Sequence, residues 1–562
     1  MSKKIKKIVI PLLVSVVLGF VWFYITIPAI NLKSSSFYSF LLFLIVVFIV
    51  TRLIITFSIR GIRDKVTDFK DQHQDGGEKV FADMKPTSKK KLKIAAWVVG
   101  ILLVGAGIIW LTSSEITNAK KYQQQLTVNT RDFQKDVAEI PISQIPIVDK
   151  DTAIRLGDRK LGEVVELTSQ FEVSPLYSQI NMNNAPTRVS PLVYADPIKW
   201  LTNQSEGIPY YIKIDMATQD TQLVELEKPM KYSPCEYFNR RLERHVRFAY
   251  PTLMFEDPTF EVDDDGNPYW VVPVYDYKIG LIGGKDITGI VLVDAVSGEM
   301  THYSVADVPQ WIDQVYPDDL LNTQANNWGK YTNGFINSVI GQKNVIKTTD
   351  GYNHLALDDD LWMYTGLSSV TADQSNIGFL LVNKRTKETR YYQINGADES
   401  SAMGSAEGKV QEKEYVATFP ILINVAERPT YFVSLKDAAG LVKEFAFVSV
   451  ENYQTVGVGD TLSSAQDSYI KQLKSSGQAP ESETTSASGT IAQITSAVKE
   501  GNTYYYFTLD GKPEEIYVVS IELSDGLPML KQGDTVTLEF QKDAFRYRQV
   551  TTIEIGTSSS IE

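Results

Sequence analysis

GIVLVDAVSGEMTHYSV, residues 289–305, is the stretch whose reading decides the fold. An apolar run reaches an aspartate, a short polar centre follows, and a second strand-forming run leaves it, as in two β-strands joined by a tight turn. The design recurs as YYIKIDMATQDTQLVEL at 210–226 and GFLLVNKRTKETRYYQI at 378–394, and more weakly as TYFVSLKDAAGLVKEFAFV at 430–448. Asp215/Thr218, Asp294/Ser297 and Asn383/Thr386 share one spacing. Asx and Ser/Thr side chains hydrogen-bond turn backbone, so these residues read as turn formers before anything chemical.

Two copies are preceded by helical patterns. In Asp151–Leu167 the apolar residues Ile154, Leu156, Leu161, Val164 and Val165 fall roughly on one face, and Pro234–Tyr250 carries Phe238, Leu242, Val246 and Ala249. A helix followed by an antiparallel meander, repeated, is an α+β plan. The order of helix, the strand GNPYWVVPV (266–274) and the hairpin GIVLVDAVSGEM (289–300) resembles the PepSY type of module found in bacterial envelope proteins and in propeptides of secreted peptidases. The resemblance is best over 234–305, extends to 149–226, and is interrupted by the insertion-rich stretch 172–208. It implies a binding or inhibitory module and supplies no catalytic residues.

Outward from the repeats, SSGQAPESETTSASG (475–489) lacks a hydrophobic anchor and reads as a flexible linker. Beyond it five strand-length runs, GTIAQITSAV to YRQVTTIEI, resemble a small OB-like barrel, although SH3-like barrels share the strand count. Tyr504 to Phe507 offer a stacking platform, with alternation sending half of them to the core.

Toward the N-terminus three apolar segments, 8–30, 37–57 and 94–111, each approach the ~20 residues a bilayer core requires. Lys3, Lys4, Lys6 and Lys7 precede the first, and ten Lys and Arg crowd the 58–93 loop, whereas 31–36 carries only Lys33. The positive-inside rule then leaves the N-terminus and loop 58–93 cytoplasmic and everything after Leu111 extracellular, at a plasma membrane. A cleaved signal peptide is the rival reading of the first segment; the run is long for one and lacks a small-x-small cleavage site. The expected organisation is a membrane anchor over 1–112, a stalk over 113–135, α+β modules over 136–232, 233–330 (PepSY-like) and 331–470 (third and fourth copies), a linker over 471–488 and an OB-like barrel over 489–562.

From Ser113 onward 39 Lys and Arg face 62 Asp and Glu, a net charge of −23, which disfavours nucleic acid as a partner. One cysteine, Cys235, excludes an intrachain disulfide and a Cys-based metal site, and His73, His245, His302 and His354 have no metal-ligand spacing. No cofactor and no metal are expected. Asp263, Asp265 and Asn267 begin like a calcium loop, yet Pro268 holds the place that needs Gly, so a β-turn is the better account; Asp358–Asp360 has the same status. No GxSxG, HExxH or P-loop is present.

Arg240, Arg244 and Arg247 line up at i, i+4 and i+7 in an acidic exterior, a candidate clamp for an anion or a partner, with pairing to nearby acids as the plainer alternative. Glu399 and Glu407, eight residues apart, are the carboxylate pair a hydrolase would use, and no catalytic residue is assigned. The expected function is that of a non-enzymatic bacterial cell-envelope protein whose ectodomain binds or scaffolds another envelope or secreted protein. A PepSY-type regulator or inhibitor of an extracytoplasmic peptidase is the alternative, and a carboxylate-based envelope hydrolase a second.

Overall fold

The repeated turns close through one network of hydrogen bonds. Asp294 Oδ1 accepts from the N–H groups of Val296 and Ser297 at 2.8 and 2.9 Å, and Ser297 Oγ accepts from Glu299 N–H at 3.2 Å. Asp215 does the same for Ala217 and Thr218, and Asn383 for Arg385 and Thr386. The next residue is left-handed each time, with φ +64° at Gln219, +76° at Gly298 and +64° at Lys387. That single reversal lets the second strand rejoin the first with the right-handed twist a sheet needs. The fourth copy differs: Asp437 Oδ1 reaches over a longer loop to Leu441 N–H at 3.0 Å.

The structure, a computed structural model, describes residues 3–71, 89–141, 144–357, 359–370, 375–476, 484–499, 502–541 and 547–556. Its turns sit in four sheets of one topology. In the first, Phe171–Val173 and Ser178–Met182 both pair with Ala185–Tyr194, which is followed by Ile208–Asp215 and Thr221–Met230. In the second, Met254–Phe255 and Thr259–Val262 pair with Pro268–Ile279, and Gly283–Asp294 and Met300–Ser304 follow. The third repeats the order around Asp360–Ser369 and the fourth around Arg428–Lys436. A helix opens each unit: Lys150–Gly162, Leu242–Ala249, Asp318–Lys330 and Glu399–Lys409.

The sheets are fused rather than strung out. One core takes Ile212, Val272, Leu381 and Phe432 from the four sheets, while Val271, Leu292, Met363, Leu380 and Val382 from opposite faces of the second and third sheets enter another. Strands buried on both faces explain why GIVLVD and GFLLVN read as continuous apolar runs instead of alternating ones. Asp318–Lys330 packs in the core shared by those two sheets, so it opens the third unit although the expected boundary at 330 assigns it to the second. At the C-terminus Thr484–Lys499, Asn502–Leu509, Lys512–Ser520, Thr535–Gln541 and Tyr547–Ile555 close a five-stranded barrel around its own core of Phe507, Tyr517, Leu538 and Val550. The third and fifth barrel strands pair in parallel.

At the N-terminus α1 (Lys3–Thr26) and α2 (Ser35–Asp71) form an antiparallel hairpin, and Ile8–Thr26 and Ser35–Ile55 are long and apolar enough to cross a membrane. Helix α3 (Lys89–Ser113) bares Trp97, Ile101, Val104 and Ile108. Part of the 58–93 loop is helical, as the ends of α2 and α3, and 72–88 lie outside the described residues.

The stalk expected over 113–135 is instead part of the body. Helix α4 (Glu115–Gln123) packs on Asp318–Lys330, Leu126 and Phe133 are buried, and Val128–Arg131 adds a parallel edge strand beside Thr389–Tyr392. Its partners lie far along the chain, so the segment's polar composition carries no local sign of them. Of the linker expected over 471–488, the residues up to Ser475 end the helix Leu462–Ser475, 477–483 lie outside the described residues, and Thr484 already begins the barrel. The Ser/Thr-rich start is a strand because Thr535–Gln541 pairs with it through Thr490.

Candidate functional site

Helix α1 ends where the body begins. Ile27 follows the helix at φ +42°, its N–H bonded to Phe23 O at 2.8 Å, and Pro28 stops continuation. A β-branched residue adopts that left-handed conformation at a cost of about 1–2 kcal/mol, so the surroundings must hold it. Arginines from Leu242–Ala249 do so. Arg247 Nε donates to Ile27 O at 3.1 Å, and its Nη1 serves the carbonyls of Tyr250 and Leu253. Arg244 Nε donates to Tyr24 O at 3.0 Å and Nη1 to Phe238 O at 2.7 Å, with its guanidinium 4.1 Å from the Tyr24 ring centroid.

Both side chains are buried, and burial pulls Arg247 down to about 10 against the opposing influence of Tyr275. Two cations at the carbonyl end of a helix complement its dipole, an arrangement worth up to about 2 kcal/mol where partly desolvated. Further bonds fasten the same end: Ile30 N–H to Pro251 O at 2.8 Å, Asn31 Nδ2 to Thr252 O at 3.0 Å, and Lys33 Nζ to Asp276 at 2.8 Å. The lone lysine of the 31–36 connection is therefore a tie to the second sheet.

The arginine alignment read from the sequence dissolves here. Arg240 lies in a separate turn, Phe238–Arg240, and donates to Gln204 O, while Arg241 pairs with Glu243 at 3.0 Å. Phe238 at φ +51° and the non-helical Arg241 interrupt the helix expected over 234–250. Arg244 and Arg247 each direct Nε and Nη1 to main-chain carbonyls.

The two glutamates do not make a cleft. Both ride on Glu399–Lys409, where Glu399 is 2 % exposed beside Gly366 and Asn376, and Glu407 Oε1 accepts from Ala417 N–H at 2.9 Å. Burial raises Glu399. Asp263 accepts from the N–H groups of Asp265 and Asn267 in a turn, with Gly266 left-handed at φ +87°. Asp358 and His73 lie outside the described residues. His245 bonds Gly298 O, Cys235 is half-buried beside Ser233, and Phe507 is in the barrel core with Tyr505 packed against it.

A buried carboxyl pair escaped the sequence reading. Asp313 accepts from Asn181 N–H of the first sheet at 2.6 Å and from Leu361 N–H of the third at 3.1 Å. Its own N–H and that of Gln314 donate to Glu261 of the second sheet, both at 2.9 Å. Burial pushes Glu261 up to about 7 despite those two N–H donors and Lys384, and burial together with Glu261 raises Asp313 well above the usual carboxylate range. Nearby, Lys384 is 1 % exposed and meets Asp318 at 2.6 Å, with His354 on the same oxygen at 2.9 Å. No motif announces this junction, because one aspartate binds partners 132 residues before it and 48 after it.

No protein-family model matches the chain, and no curated protein matches it.

Proposed function

We propose that this chain is a non-enzymatic membrane scaffold of a bacterial-type cell envelope, holding a rigid ectodomain against the outer face of the plasma membrane to bind another envelope or secreted protein. The observation that carries the reading is the lock of Arg244 and Arg247 on the end of α1, which joins the apolar hairpin to a body whose four sheets share their cores. A third span by α3 fits the same geometry. Ser113 Oγ, at its end, accepts from Leu281 and Ile282 N–H in the turn between two strands of the second sheet, the sheet that also receives the α1–α2 connection. Three spans with a cytoplasmic N-terminus require those helix ends to lie on one side.

A recess of about 290 Å³ at the seam of the first and third sheets is lined by Gln144, Asn181, Asn184 and Asp359 among others. The hydrolase reading is weakened by Glu407's bond to a main-chain N–H and by the burial of Glu399. The recurring order of helix and meander speaks for PepSY-like modules, which keeps a peptidase regulator as the second reading, and the parallel third and fifth strands favour an OB-like over an SH3-like barrel.

Mild crosslinking of intact cells through a tag after Glu562 tests the scaffold. A recurrent envelope or secreted partner is expected, lost on Asp359→Lys; a tag unreachable from outside, or no recurrent partner under any growth condition, refutes it. A protease as that partner, slowed by the purified protein, selects the regulator.

A further inference from the structure

The helix Asp318–Lys330 ends in a turn that carries its apolar residues outward. Ile336, Val339 and Ile340 are 74, 59 and 81 % exposed, three large aliphatic side chains within five residues. They sit on the short helical turn Gly334–Ile336 and the single π turn Asn337–Gly341. Gly334, at φ +81°, redirects the chain after the helix. Large apolar side chains bared together, rather than singly, are a candidate interaction surface.

Its position names the occupant. Tyr331 donates its hydroxyl to Glu115, two residues past the end of α3, and Lys330 Nζ lies 3.8 Å from the same carboxylate. The Tyr331 ring in turn stacks on Phe335, with centroids 6.4 Å apart and an interplanar angle of 23°. The bare aliphatic turn is therefore level with the point where α3 ends, one aromatic pair away from it. Ile282, at the hairpin tip whose N–H bonds Ser113 Oγ, is also exposed.

Charge agrees. Between Leu320 and Thr349 there is no Asp or Glu, and Lys330, Lys343 and Lys347 are the charged residues, although the chain beyond Ser113 is strongly acidic. Aliphatic residues at the tip with lysines on the shoulders are the arrangement by which a short amphipathic segment enters a lipid interface, its cations at the level of the phosphates.

We propose that Gly334–Gly341 is a monotopic lipid contact, inserting Ile336, Val339 and Ile340 into the outer leaflet beside α3. This rests on the reading of the apolar helices as membrane spans. The contact gives the third sheet its own hold on the bilayer, in addition to the hold that the second sheet has through Arg244 and Arg247.

The test uses the full chain, with Cys235→Ser, in nanodiscs of phosphatidylcholine and phosphatidylglycerol brominated on the acyl chains. A polarity-sensitive fluorophore is placed singly at Val16→Cys in α1, at Ile340→Cys in the turn, or at Met529→Cys on the barrel. Expected is a blue shift at 340 and bromine quenching of the same order as at 16, with 529 unquenched. Quenching at 16 without quenching at 340 overturns the lipid contact and leaves the spans standing; no quenching at 16 overturns both. A blue shift at 340 that bromine does not quench means that a second copy or another protein covers the turn, and likewise overturns it.

Discussion

Arg247 Nε donates to the carbonyl oxygen of Ile27 at 3.1 Å, joining the helix Leu242–Ala249 to the strained residue that follows an apolar helix more than two hundred positions earlier. The bond supplies a charged donor to a carbonyl at a helix end, where a carbonyl lacks its intrahelical partner. It also holds Ile27 in a conformation that the chain would otherwise relax.

Arg247→Ala should accordingly loosen the hairpin from the body without unfolding either. Hydrogen bonds to charged groups contribute about 1.5–3 kcal/mol, and Ile27, Tyr250 and Leu253 each lose a donor. Amide exchange of the full chain in nanodiscs should quicken over residues 27–33 and 250–253 while the barrel strands keep their protection. Unchanged exchange at Ile30, whose N–H bonds Pro251 O, would remove the junction from the account.

The buried pair Glu261 and Asp313 makes a pH prediction whose direction follows from their raised values. Between the ordinary carboxylate range and about 7, the folded chain binds more protons at Glu261 than the unfolded chain, so this group's contribution to stability falls as pH rises through that window and levels above it. Its full swing is on the order of 3 kcal/mol. His354, lowered by burial, acts oppositely by losing stability as pH falls below its ordinary value. Asp318, which Lys384 and His354 hold low against the effect of burial, matters only in stronger acid. The informative comparison is therefore Glu261→Gln against the parent. Thermal midpoints at pH 5 and pH 8 should show the parent losing more stability than the variant as pH rises; an identical dependence would mean that Glu261 does not hold its proton.

Turn geometry gives a third prediction. A Cβ at Gly298 would stand 2.4 Å from the Tyr232 ring in a left-handed backbone, so Gly298→Ala should cost about 2 kcal/mol or more. Gln219 has the equivalent position and a similar φ, and Gln219→Gly should be neutral or stabilise by up to about 1 kcal/mol, strain relief being offset by added freedom in the unfolded chain. Urea midpoints at constant slope measure both; equal shifts would break the equivalence of the turns.

What was legible in the chain was local. Asp215, Asp294 and Asn383 announce their turns because each bonds N–H groups two and three residues ahead. The first two apolar helices were legible because length and hydropathy alone qualify them. The arginines were visible as residues, but their role was not: a periodicity argument aligns Arg240 with Arg244 and Arg247, and Phe238 at φ +51° breaks that alignment. The edge strand Val128–Arg131 had no signal, since its register is set by Thr389–Tyr392.

By itself the sequence determined the turns, the apolar helices and the repeated order of helix and hairpin, since these depend on neighbours within a few residues and on side-chain chemistry. Tertiary structure alone decided that the repeats fuse around shared cores, that 113–135 joins them, that Asp313 ties three sheets together and that Arg244 and Arg247 hold a helix end. Each of those contacts depends on packing distant segments against one another, and no short-range pattern encodes which distant carbonyl or N–H a buried side chain will meet.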